Sequence, residues 1–101
     1  MAKLVTVANV QDLAVGDGKV LQVRNLEIAL FNVDGAFYAL ENTCCHRGGP
    51  LGDGAIKGNS VTCPWHMWEF ELATGACVNS PGDRVRTYDV VVEDDQVKVR
   101  L

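Results

Sequence analysis

The chain has two histidines, and each stands close to a cysteine: Cys44 and His46 with one residue between them, then Cys63 and His66 with two. Positions 47–62, sixteen residues, separate the pairs. Thiolate and imidazole are ligands for zinc and iron, so the spacing must say which metal wants two mixed pairs. A structural zinc site takes four such ligands in a tetrahedron, but its signature pairs cysteine with cysteine at one knuckle and histidine with histidine on a helix. Here each half mixes the two. A binuclear 2Fe-2S cluster with two thiolates on one iron and two imidazoles on the other uses that mixture directly. Each loop then gives one ligand to each iron, and the cluster is clamped between two hairpin tips. Two ferric ions, two sulfides, two thiolates and two neutral imidazoles sum to no net charge, so one added electron leaves a singly negative cluster. An all-thiolate cluster starts doubly negative and accepts the electron less readily. Histidine ligation therefore raises the potential, to roughly −150 to +300 mV against about −400 mV for plant-type ferredoxins.

Such loops need strands to hold them. Runs of Val, Ile, Leu and aromatic residues are short and broken at close intervals by Gly, Asp and Asn, the pattern of many short antiparallel strands. The expected fold class is all-β. In LEIALFNVDGAFYAL the Asp34-Gly35 pair sits between two apolar runs and accepts the positive φ angles of a tight hairpin turn. The final QVKVRL alternates, with Val97, Val99 and Leu101 on one face, and follows a YDVVV run and an EDD turn, which predicts a second hairpin with one face in the core. NVQDLAVGDGK has room for one helical turn and no sustained helical period. Between these strand groups, positions 42–81 hold all four cysteines, both histidines, both tryptophans and all three prolines. The chemistry is confined to that stretch.

Composition narrows the setting. A chain of 101 residues makes one domain with one modest core, without room for a separate catalytic domain. The net charge of −4 opposes a nucleic-acid backbone or an anionic lipid surface as partner and suits a basic protein. No apolar run approaches a membrane span, and MAKLVTVANV lacks a signal peptide's apolar stretch, so the expected location is the cytoplasm, with no membrane and no nucleic acid involved. A reducing compartment favours metal ligation or free thiols over disulfides for Cys44, Cys45, Cys63 and Cys77.

With HRGGPL after the first pair and CPWH at the second, the sequence resembles the Rieske iron-sulfur family over nearly its whole length. It is most similar to the small soluble Rieske ferredoxins that serve bacterial ring-hydroxylating dioxygenase and monooxygenase systems. The resemblance implies a Rieske-type antiparallel β-sandwich base carrying a small inserted cluster-binding subdomain, at about 42–81 of a single 1–101 domain, and one 2Fe-2S cluster. By the same resemblance Cys44 and Cys63 hold the inner iron, while His46 and His66 hold the outer one through Nδ1. The function implied is single-electron transfer from an NAD(P)H-dependent flavin reductase to a terminal oxygenase, by a freely diffusing monomer that is not itself an enzyme. Two other readings compete: the small Rieske-like subunit of an NADH-dependent nitrite reductase, in which one or more ligands are often missing, and a structural zinc module. The catalytic oxygenase is excluded by counting, since its mononuclear iron needs further histidines and both are already committed.

High-potential relatives tie the two loops with a disulfide and place hydroxyls after the second histidine. This chain has Gly49 and Trp65 at the disulfide positions, and Met67, Trp68, Glu69 and Phe70 follow His66. That predicts a potential at the low end of the range, with Gly48 and Gly49 letting the main chain approach the cluster, unless a hydroxyl such as Thr43 or Ser80 is brought close by the fold. Most members have Gly where Met67 stands. Cys45 and Cys77 fall outside the motif and are either free thiols or partners in a bond. Trp65 and Trp68 either cover the cluster or, for Trp65 beside Arg47, Pro50 and Met67, form an apolar docking rim.

Overall fold

The computed structural model describes residues 3–43, 49–65, 67–80 and 82–101. Ten strands run through these residues: β1 (Leu4–Asn9), β2 (Gly18–Val23), β3 (Leu26–Val33), β4 (Ala36–Glu41), β5 (Ala55–Lys57), β6 (Ser60–Thr62), β7 (Glu69–Glu71), β8 (Thr87–Tyr88), β9 (Val90–Glu93) and β10 (Gln96–Arg100). They form three antiparallel sheets, ordered β1-β10-β9, β2-β3-β4-β8 and β5-β6-β7. Helical structure among the described residues is limited to single 3-10 turns at Val10–Asp12, where one turn was expected, and Leu51–Asp53.

Both expected hairpins form. Val33 faces Ala36 across Asp34 (φ 52°) and Gly35 (φ 92°), a two-residue turn whose doubly positive φ matches the twist of the strands it joins. Glu93 faces Gln96 across Asp94 (φ 51°) and Asp95 (φ 63°) in the same way.

The four-stranded sheet is the middle layer. Successive side chains of a strand point to opposite faces, and on β3 both faces are buried, so Ile28 through Asn32 are all inside. Ile28 and Leu30, with Phe37 and Ala39 of β4, pack on Val97 and Val99 of β10 and on Leu13. Ala29, Phe31 and Leu40 pack the opposite way, on Leu51, Val61, Cys63, Phe70, Leu72, Cys77 and Val85. One core thus joins the middle sheet to the terminal sheet, and the other joins it to the small β5-β6-β7 sheet.

The chain leaves the middle sheet after Glu41 and rejoins it at Thr87, where Leu40 pairs with Thr87 and Ala39 with Tyr88. The exit and return are fastened together, because Glu41 N–H donates to Arg86 O (2.8 Å) and Arg86 N–H donates to Glu41 Oε1 (3.0 Å). The excursion between them contains β5, β6, β7 and every candidate ligand.

Candidate metal centre

Of the four candidate ligands, Cys63 lies within the described residues; Cys44, His46 and His66 lie outside them, as do Cys45 and Arg47. Cys63 follows directly on β6, has a free thiol and is fully buried in the core shared with the small sheet. Two hydrogen bonds close the loop it begins: Cys63 N–H donates to Trp68 O (2.7 Å), and Met67 N–H donates to Cys63 O (2.9 Å). This six-residue turn returns the chain to β7 and encloses position 66.

Closing the turn places Met67 at φ 60°, in the left-handed region. That conformation costs a residue with a Cβ roughly 1–2 kcal/mol, which glycine avoids. The usual family glycine at this position therefore has a backbone reason, and this chain accepts the strain to keep a methionine there. The side chain is 69% exposed, and Trp65 is 59% exposed. Trp65 thus presents much of its ring to solvent, whereas Trp68 is partly buried against the core. Met67 and Pro64 line an open groove of about 540 Å³ with Ile56, Ala55, Thr62, Asp53 and Lys57.

The other loop begins and ends within the described residues. Thr43 pairs with Pro50 as an isolated antiparallel bridge, and Leu51 N–H donates to Asn42 O (2.7 Å), so the chain entering position 44 and the chain leaving position 49 lie side by side. The leaving chain rests against the Cys63 turn. A Cβ built on Gly49 would lie 2.7 Å from Cys63 Sγ and 3.0 Å from Trp65 Cγ, so no residue larger than glycine fits without displacing the sulfur. The chain at Gly49 therefore meets the Cys63 thiol. Of the two glycines expected to let the main chain approach the cluster, Gly49 lies against the Cys63 sulfur and Gly48 lies outside the described residues.

A further segment packs on β7. Val78 N–H donates to Glu69 O (2.8 Å), Glu69 N–H donates to the Asn79 side-chain oxygen (2.7 Å), and Cys77 N–H donates to Asp83 O (2.9 Å). Ser80, one of the two hydroxyls considered as sulfur donors, donates to Asp83 Oδ2 (2.8 Å). Cys77 is buried with a free thiol. Among the described residues no group of three or more His, Cys, Asp or Glu side chains could hold another metal ion.

A model of the family described as "Rieske [2Fe-2S] domain" matches residues 3–89. The chain belongs to the Rieske family. The cofactor that goes with this Rieske fold is a single 2Fe-2S cluster, which displaces the zinc reading, and a buried thiol enclosed by a loop base and a tight turn fits it. The Rieske chain is 33% identical over 95 residues to the ferredoxin component of the naphthalene 1,2-dioxygenase/salicylate 5-hydroxylase systems of Ralstonia sp, covering 93% of this chain and 91% of that protein. It superposes on the Sphingomonas yanoikuyae B1 ferredoxin with a TM-score of 0.89 at 28% identity, covering 98% and 99% of the two chains. It superposes more closely, with a TM-score of 0.93, on a chain described as an NADH-dependent nitrite reductase small subunit from Mycobacterium tuberculosis, with coverage of 100% and 96%. At 22% identity that likeness speaks to the shared fold alone.

Sequence reasoning did not find Asn42 or the strained backbone of Met67. Asn42 carries no motif signal. Met67 did carry one, because a bulky residue at a position usually occupied by glycine marks a left-handed backbone.

Proposed function

We propose that the chain is a one-electron carrier, taking electrons from a flavin-dependent reductase that oxidises NAD(P)H and delivering them to a terminal oxygenase. The likeness to a dioxygenase-system ferredoxin component, running almost end to end in both proteins, carries this reading. Cys44, His46, Cys63 and His66 hold the cluster, and the segment 42–81 is the cluster-binding subdomain of a single domain spanning 1–101. The bound cluster supplies a reversible one-electron couple. The protein's own part is to bury Cys63, to bring Gly49 against its sulfur, and to present Trp65 and Met67 to a partner. Among the described residues no helix is long and apolar enough to cross a membrane, and the carrier works as a monomer in the cytoplasm.

With no disulfide residues at positions 49 and 65, and with the Ser80 hydroxyl engaged by Asp83, the couple lies near the low end of the Rieske range, roughly −150 mV. The test is an assay of iron and acid-labile sulfide on purified protein, with electron-spin resonance of the reduced state and voltammetry at neutral pH. About two irons and two sulfides per chain, a histidine-ligated signal and a potential in that region support the reading. Zinc without sulfide overturns it, and a strongly positive potential overturns the account of the missing donors.

A further inference from the structure

Asn42 is one of three buried polar residues in the described structure, and it sits two positions before Cys44. It makes contacts in three directions. Its N–H donates to Glu27 O (3.1 Å), which ties it to the strand beyond the end of β4; its carbonyl accepts from Leu51 N–H (2.7 Å); its side-chain Oδ1 accepts from Gly52 N–H (2.7 Å). The last two bonds reach across the neck of the 44–49 loop. They fall on consecutive amides, so they fix both the separation of the two ends and the register in which the returning chain enters the Leu51–Asp53 turn.

The receiving side is equally constrained. Leu51 and Gly52 are buried, and a Cβ on Gly52 would lie 2.4 Å from Val20 Cγ2 and 3.1 Å from Asn42 Oδ1. Three residues before Gly52, Gly49 is pressed on Cys63 Sγ. A shift at Gly52 has little room to dissipate before it reaches the thiol. Removing the Asn42 amide would also leave Gly52 N–H unsatisfied in a buried site, which favours such a shift.

We propose that Asn42 is a positioning residue for the cluster: its side-chain bond to Gly52 N–H fixes the register in which the returning chain brings Gly49 against Cys63 Sγ. This rests on the ligand assignment above. The residue acts through Gly52 and the loop and touches no reacting atom.

Asn32 provides the control. It is buried to a similar degree and makes two side-chain bonds, to Leu13 O and from Gly35 N–H, at the hairpin end of the middle sheet. Holoprotein carrying Asn42→Ala, Asn42→Asp or Asn32→Ala is compared with wild type by thermal melting, by electron-spin resonance of the reduced state, and by iron release to excess bathophenanthroline disulfonate. Both alanine variants should melt earlier. Only Asn42→Ala should release iron about tenfold or more faster and shift the resonance line shape, the scale seen when groups orienting metal ligands are removed. Asn42→Asp keeps an oxygen acceptor for Gly52 N–H and should restore slow release and the wild-type line shape. If Asn42→Ala releases iron no faster than Asn32→Ala and keeps the wild-type spectrum, or if Asn42→Asp releases iron as fast as Asn42→Ala, the inference is overturned while the ligand assignment stands. Should Asn42→Ala not fold, Asn42→Ser, whose shorter side chain cannot reach Gly52 N–H in the same way, takes its place in the same release and resonance measurements. Wild-type protein lacking iron and sulfide would overturn both.

Discussion

The two faces of the middle sheet are both buried, but they are built for different ends. Toward β10 the core is hydrocarbon: Ile28, Leu30, Phe37 and Ala39 against Val97, Val99 and Leu13. Toward the small sheet, Ala29, Phe31 and Leu40 meet a core that includes Cys63 and Cys77 and continues into the turn carrying the strained Met67. The first face holds the termini, and the turns on that side place Asp34, Asp94 and Asp95, and also Arg24 between β2 and β3 (φ 57°), in the left-handed region. The second face carries the candidate ligand Cys63, and its turn keeps Met67 where glycine would be more comfortable.

The largest test of this division is Cys63→Ser. Metal binding is coupled to folding, and the serine hydroxyl would replace a thiol at a fully buried site. Iron per chain should fall close to zero and the melting temperature should drop sharply, read by iron assay and calorimetry. Retained iron would mean that Cys63 is core and not ligand.

Next comes a matched pair, Leu30→Ala and Leu40→Ala. Both side chains are fully buried, on opposite faces of the same sheet. Each truncation should cost about 2–5 kcal/mol in denaturant unfolding. Iron release should quicken for Leu40→Ala alone, because its cavity opens into the core that holds Cys63. Equal release rates would erase the distinction between the faces.

A smaller effect is expected at the surface. Met67→Glu places a charge on the exposed turn, and Val92→Glu places the same charge on the terminal sheet, where Val92 is also exposed. Electron delivery to the partner oxygenase should fall about tenfold for Met67→Glu and stay near wild type for Val92→Glu, with both absorption spectra unchanged. Stopped-flow oxidation of the reduced carrier measures this, and equal rates would place docking elsewhere.

The smallest effects come from relieving left-handed backbone at each end of the molecule. Met67→Gly and Asp95→Gly should each raise stability by about 1 kcal/mol or less. Asp95→Gly should leave electron delivery untouched, whereas Met67→Gly should slow it by deleting the exposed side chain. Faster delivery from Met67→Gly would mean that the methionine obstructs docking.

The sequence by itself determined what is local. Asp34-Gly35 and Asp94-Asp95 sit in two-residue turns because such turns need positive φ, and the alternation of Val97, Lys98 and Val99 sets which face of β10 is buried. The ligand types and their spacing pointed to the cluster because the charge and coordination of the metal restrict which side chains can serve. Tertiary structure decided what depends on contacts between distant positions. Within β3, Ile28 to Phe31 reads as an unbroken apolar run, which shows that both faces are covered there but not that Ile28 meets Val97 while Ala29 and Phe31 face the core of Cys63. Gly49 meets Cys63 Sγ, and Asn42 Oδ1 takes the Gly52 amide, across loops whose closure no local propensity encodes. An asparagine has several possible hydrogen-bond partners wherever it stands in a sequence, and only the folded chain selects one.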